Sequence, residues 1–123
     1  VDWVSAAGQI FRPGDFWAVG GYDESYYYWH EAVICGRIAQ RGQKVVLHPG
    51  SKVIHYEGMG SGKRAYAAQR FHIIDFHRGA YRCYCERTKF GRLHPARIAI
   101  GAMLASRAAL KLAAIRCKTA ISP

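Results

Sequence analysis

Acidic side chains are scarce in this sequence and nearly absent from its second half. Residues 1–57 carry five lysines and arginines against six aspartates and glutamates, but residues 58–123 carry thirteen against two. The chain is therefore a near-neutral body with a basic tail and a formal net charge of +10. Such a tail suits an anionic partner, whether a membrane surface, a diphosphate or nucleic acid. Any Cys-x-x-Cys pair is also missing. Cys35, Cys83, Cys85 and Cys117 follow no framework spacing, which argues against a secreted disulfide scaffold and for a reduced, cytoplasmic setting. Long apolar runs are missing too. The charge-free run Ile98–Ser106 is nine residues, against about 20 for a membrane span, so the expectation is a cytoplasmic chain whose last helix either lies peripherally on the inner face of the membrane or packs on the domain with its lysines and arginines in water. No initiating methionine or apolar signal core precedes Val1-Asp2-Trp3-Val4, which reads as a strand, so the expectation is a truncated chain. No internal repeat or low-complexity segment is visible.

What is present is a succession of short elements with clear punctuation. Val4 to Phe11 reads as a strand, and Pro13 opens a short helix through Ala18 that Gly20-Gly21 ends. An aromatic loop, Tyr22 to Tyr28, feeds a helix from about Trp29 to Arg41, with Gly42 as its terminator. Lys44 to His48 and Lys52 to Tyr56 are β-rich and flank the turn-forming Pro49-Gly50-Ser51. Glu57 to Gly62 is too rich in glycine to hold one conformation unaided, and reads as a mobile loop. Apolar residues at helical spacing then predict one helix from Lys63 to about Lys89, with Gly79 a weak point, and another from Pro95 to about Lys118 with Arg107, Lys111 and Lys118 on one face. The expected fold class is α/β, in the form of an α+β fragment. Short mixed strands and a helix occupy residues 1–62, and two basic helices occupy 63–123.

The ordered run Gly20-Gly21-Tyr22-Asp23-Glu24, Tyr26-Tyr27-Tyr28-Trp29-His30-Glu31, Cys35-Gly36-Arg37, Val45-Val46-Leu47-His48-Pro49 and Val53-Ile54-His55 resembles the second half of the catalytic domain of glycosyltransferase family 2, in its rhamnosyltransferase-like branch. The opening Asp2-Trp3-Val4-Ser5-Ala6-Ala7 resembles the strand that precedes this run in the same family. The likeness covers residues 1 to about 90. It implies the acceptor-side half of a GT-A fold and an inverting transfer of sugar from a nucleotide-diphosphate-sugar donor to a hydroxyl of a glycan or lipid-linked acceptor, in cell-surface polysaccharide or glycolipid synthesis. It further implies dependence on Mn²⁺ or Mg²⁺, with the nucleotide-binding half and its D-x-D pair outside this chain and no activity without them.

Such a transfer needs a carboxylate to take the acceptor proton and a cation to neutralise the departing diphosphate. Glu31 is the candidate base: it opens a helix, whose positive end favours an ionised carboxylate, and it follows a cluster of aromatics able to line a sugar site. Its separation from His55 matches the family's spacing between base and histidine. His30 and Val33 stand where the family carries acids, and a shift of one residue would put Ala32 at the base position and leave the site inactive. His55 resembles the family's metal-ligating histidine. The loop followed by Lys63 and Arg64 resembles a segment that folds over the donor, with Ser61, Lys63 and Arg64 supplying contacts to the diphosphate. Trp3, Trp29, His30, Asp23 and Glu24 complete the candidate substrate-binding set, and Asp23 and Glu24 read equally well as the end of a turn.

Two other motifs fail on their spacing. A P-loop needs glycine at Glu57 and a hydroxyl at Arg64. A zinc finger built from His72, His77, Cys83 and Cys85 has no matching gaps, and Cys-x-Cys on a helix points its sulfurs apart. The competing class is a basic aromatic module for RNA or an anionic membrane. It has no recognised nucleic-acid motif behind it. A degenerate family member that binds sugar nucleotide without transfer is the third reading.

Overall fold

A computed structural model of the chain describes residues 1–56 and 66–121. It divides into two compact units, Val1–Glu57 and Gly58–Pro123. The junction expected after residue 62 falls outside the described residues.

The α/β expectation is overturned. The described residues form helices only, with no strand or sheet. Val4 to Phe11 is interrupted by a 3-10 turn at Ala6–Gly8, where the Ser5 hydroxyl accepts from Ala7 N at 3.4 Å. Lys44 to His48 and Lys52 to Tyr56 carry no ladder, and Val46, Leu47, Val53 and Ile54 are all exposed. β-propensity expresses how well a side chain fits a pleated, half-buried surface. No such surface exists among the described residues, and a lone two-stranded hairpin is marginal in water. Only the turn survives, with Ser51 N donating to His48 O at 3.2 Å.

The helices lie where the local signals put them. In the first unit α1 spans Pro13–Ala18 and α2 spans His30–Gln40; in the second, α3 spans Tyr66–Thr88 and α4 spans Pro95–Ile121. Pro13 sits in the first turn of α1, where its missing N–H costs nothing. Gly21 N donates to Phe16 O at 2.9 Å and Gly20 N to Trp17 O at 3.1 Å, the paired bonds that close a helix through a left-handed residue. The end of α2 repeats this with Gly42 N to Ala39 O and Gln43 N to Ile38 O, and Gly42 has φ 78°.

The first unit's core is small. Ile34, Cys35 and Ile38 of α2 are buried against Val4, Phe11, Phe16, Val19 and Val45. Burying Ile34 alone contributes about 1.5–3 kcal/mol, so this single helix anchors the irregular segments around it. In the second unit α3 packs on α4. A Cβ on Gly101 would lie 3.2 Å from Tyr81 Cε2, so the absence of a side chain there sets how closely the helices approach. Arg97 fastens that end: its Nε donates to the Tyr81 hydroxyl at 3.1 Å and its Nη1 to Phe90 O at 3.0 Å.

The short charge-free run in α4 understated its apolar character. Pro95–Lys118, 24 residues long, is apolar and long enough to cross a membrane by length and composition. Arg107 and Lys111 interrupt an otherwise apolar stretch from Ile98 to Ile115. Counting only uninterrupted residues hid the stretch.

Candidate functional site

The first unit contains a cavity of about 510 Å³ walled by the N-terminal segment, one side of α2 and both β-rich segments. That is within the range of small-molecule sites. Its polar lining comes from Ser5, Gln9, Lys44, His48, Ser51 and His55. Of the described residues expected from sequence to form the site, His55 alone lines it. Glu31 does not.

Gln9 joins the cavity to the neighbourhood of Glu31. Its amide nitrogen donates to Val4 O at 2.7 Å and to Cys35 Sγ at 3.3 Å, and its oxygen accepts from the Tyr22 hydroxyl. The Tyr22 ring in turn meets His30 edge to face, with centroids 5.1 Å apart. Burial, followed by the nearby Cys35 and Glu31, holds the Tyr22 phenol above its ordinary pKa. Gln9 carried no sequence signal. Tyr22 did, because it stands inside the Gly-Gly-Tyr-Asp-Glu motif.

Glu31 lies in the first turn of α2. Its side chain is 22% exposed, yet Oε2 is buried without a hydrogen-bond partner among the described residues. His30 Nδ1 is 3.6 Å from it, beyond hydrogen-bond range. A buried acceptor with no donor costs about 1–3 kcal/mol, a penalty that persists in sites where an incoming hydroxyl supplies the donor. Trp29, the cap of α2, has φ 74°. A left-handed conformation at such a residue costs about 1–2 kcal/mol, and strain of this kind concentrates at functional sites. It also turns the chain so that His30 and Glu31 follow directly at the helix N-terminus. Ala32 and Val33 are buried, so the alternative register would place the base position in the core.

Asp23 is occupied structurally. Its Oδ1 accepts from Ser25 N and from the Ser25 hydroxyl, and its Oδ2 accepts from Arg37 Nη2 at 3.0 Å. The Ser25 hydroxyl, with further help from Arg37, holds the carboxyl below its ordinary pKa against a smaller opposing effect of burial. Glu24 and Trp3 are exposed and line no part of the cavity. Ser61, Lys63 and Arg64 lie outside the described residues. Among the described residues no group of three or more His, Cys, Asp or Glu side chains is placed to hold a metal ion. His55 therefore does not make a metal centre with its described neighbours.

With this geometry in place, comparison with known proteins gives a partial answer. The chain is similar to the N-acetylglucosaminyl-diphospho-decaprenol L-rhamnosyltransferase of Mycobacterium tuberculosis, in two strains, with 29% identity over 82 residues. The likeness to a glycosyltransferase is distant. It takes in 66% of this chain and 25% of the relative, so the matched stretch spans about a quarter of that protein's length. No family model matches the chain. No solved structure matches it either.

Proposed function

We propose that the chain is part of a glycosyltransferase that moves a sugar from a nucleotide-diphosphate donor to a hydroxyl of a glycan or lipid-linked acceptor, with inversion, and that Glu31 is the base. The observation that carries this reading is the Glu31 carboxylate at the N-terminal turn of α2, partly exposed and with Oε2 unpartnered among the described residues. The distant rhamnosyltransferase, whose name gives a diphospho-decaprenol-linked sugar as acceptor, supports the reaction class.

In this reading an acceptor hydroxyl donates its hydrogen bond to the exposed side of the Glu31 carboxylate. As the acceptor oxygen bonds to the anomeric carbon, the carbon–oxygen bond to the diphosphate breaks and the nucleoside diphosphate leaves with the electron pair. The acceptor proton passes to Glu31. The carboxylate stands at the positive end of the α2 dipole. Tyr22 and His30 wall the carboxylate, and Gln9 positions Tyr22. A divalent cation, Mn²⁺ or Mg²⁺, would need ligands besides His55 from outside the described residues, and no step here runs through it.

The test is transfer from nucleotide-diphosphate sugars to a polyprenyl-diphosphate-linked sugar, using the longest natural chain that contains these residues. Removing a general base lowers turnover by about 10²–10⁴-fold, so Glu31→Gln should do so with donor KM little changed. Full turnover in Glu31→Gln overturns the assignment. Unchanged metal dependence in His55→Ala removes His55 from the metal.

A further inference from the structure

The outer face of α4 exposes apolar side chains over several turns. Half-buried Ile100, Leu104, Ala108, Leu112 and Ile115 recur at intervals of three and four, forming the stripe that packing requires. The opposite side should be polar in a helix exposed to water. Instead Ile98, Met103 and Leu110 are 56%, 56% and 72% exposed, with Ala99, Ala102 and Ala113 exposed between them. Within Pro95–Lys118, no part of the apolar window is buried.

The charges of this helix are all of one sign and most lie to one side. Pro95–Ile121 contains no acid. At 3.6 residues per turn, Arg107, Lys111 and Lys118 fall together along one border between the packed stripe and the outer face. Basic side chains at that border can extend toward phosphate groups while their aliphatic stems stay with apolar surface. The helix thus has three strips: one packed, one outward and mainly apolar, with Ser106 within it and Arg116 in line with Ile98, and one cationic between them.

Three occupants could cover the outer strip, and the charges separate them. A second copy would bring together two segments, each with thirteen basic residues against two acids in 58–123, so repulsion opposes it. A transmembrane position fits the length, since 24 residues extend about 36 Å. However, it would take along the helix packed on α4, and α3 carries Arg70, Asp75, Arg78, Arg82, Glu86 and Arg87, charges that are expensive in hydrocarbon. An anionic bilayer surface satisfies both strips at once.

We propose that α4 lies in the interfacial plane of an anionic lipid bilayer, with Ile98, Met103 and Leu110 inserted among the acyl chains and Arg107, Lys111 and Lys118 against the lipid phosphates. This stands independently of the proposed transfer reaction, because neither Glu31 nor the cavity takes part in it.

The full chain is sedimented with vesicles of phosphatidylcholine alone and of equal parts phosphatidylcholine and phosphatidylglycerol, at low and high salt. Binding to the phosphatidylglycerol vesicles is expected, with strong weakening by salt. Each basic residue near an anionic surface strengthens binding about fivefold, so replacing Arg107, Lys111 and Lys118 together with glutamine should weaken it on the order of a hundredfold. Leu110→Glu should abolish binding with the helical circular dichroism signal unchanged, and Lys111→Arg should retain it. If Leu110→Glu loses its helical signal, Met103→Gln replaces it as the test of the apolar strip.

Failure of the unaltered chain to bind either vesicle overturns the proposal. Equal, salt-insensitive binding to both vesicles overturns it as anionic-surface recognition. Self-association in the absence of lipid that Leu110→Glu abolishes, without vesicle binding, assigns the face to a second copy. Resistance of bound chain to alkaline carbonate extraction assigns it to a membrane span.

Discussion

Arg37 reaches back from α2 to Asp23, its Nη2 3.0 Å from Oδ2, and thereby ties the aromatic loop to the helix that carries Glu31. Both side chains are about three-quarters covered, at 27% and 25% exposure. The pair spans a loop with little other regular structure.

Asp23 therefore links stability to pH. Its carboxyl titrates below its ordinary value, mainly through the Ser25 hydroxyl and secondarily through Arg37. A lowered pKa in the folded state stabilises the chain above the unfolded value and loses that contribution as pH falls through the folded one. Denaturant titrations from neutral pH down to about pH 3 should show the acid-side loss shrinking in Asp23→Asn. Carboxyl titration by NMR should show an upward pKa change in both Ser25→Ala and Arg37→Met. At neutral pH, Arg37→Met should cost about 0.2–1 kcal/mol.

Tyr22 gives the opposite sign. Its phenol is raised above the ordinary 10.0, chiefly by burial. Its contribution is therefore complete below that value and lost as pH rises through the folded pKa. Tyr22→Phe should remove this alkaline loss while costing about 0.5–1.5 kcal/mol at neutral pH, because the hydrogen bond to Gln9 disappears. Phenolate absorbance and urea midpoints check the two parts.

At Gly101 a side chain would press on Tyr81, whose hydroxyl is held by Arg97 and whose ring is therefore not free to retreat. Gly101→Leu should destabilise the second unit by about 1–3 kcal/mol through overpacking. Arg97→Ala in the same background should relieve part of the strain, which a double-mutant cycle would detect as coupling.

Glu31→Gln separates function from structure. Glutamine is isosteric with glutamate and places a polar atom at the same buried position, so the packing around the side chain is unchanged. The variant should therefore fold within about 1 kcal/mol of the parent while losing transfer. A carboxylate serving only as a helix cap would show the reverse, a loss of stability with activity intact.

Helix ends were legible because their causes are local. Pro13, Gly20-Gly21 and Gly42 act through bonds reaching at most five residues along the chain, and each lies where its chemistry placed it. Strands were not legible, because Lys44–His48 and Lys52–Tyr56 state only a preference for a pleated neighbour, and a ladder exists only when a distant segment supplies one. The site divided in the same way. Glu31's position at a helix start followed from sequence, but nothing in the sequence showed that Gln9 would bridge Val4, Cys35 and Tyr22 beside it.

By itself the sequence determined the four helices, their stops, the basic tail and the carboxylate at the start of α2. The tertiary structure decided that, among the described residues, the β-rich segments form no ladder and Glu31 keeps a buried oxygen without a donor, and that α4 turns one stripe to α3 and leaves a mainly apolar face outside. Helix caps and composition depend on neighbours along the chain. Burial, ladders and unmet hydrogen bonds depend on which distant groups arrive, and only the folded arrangement specifies those.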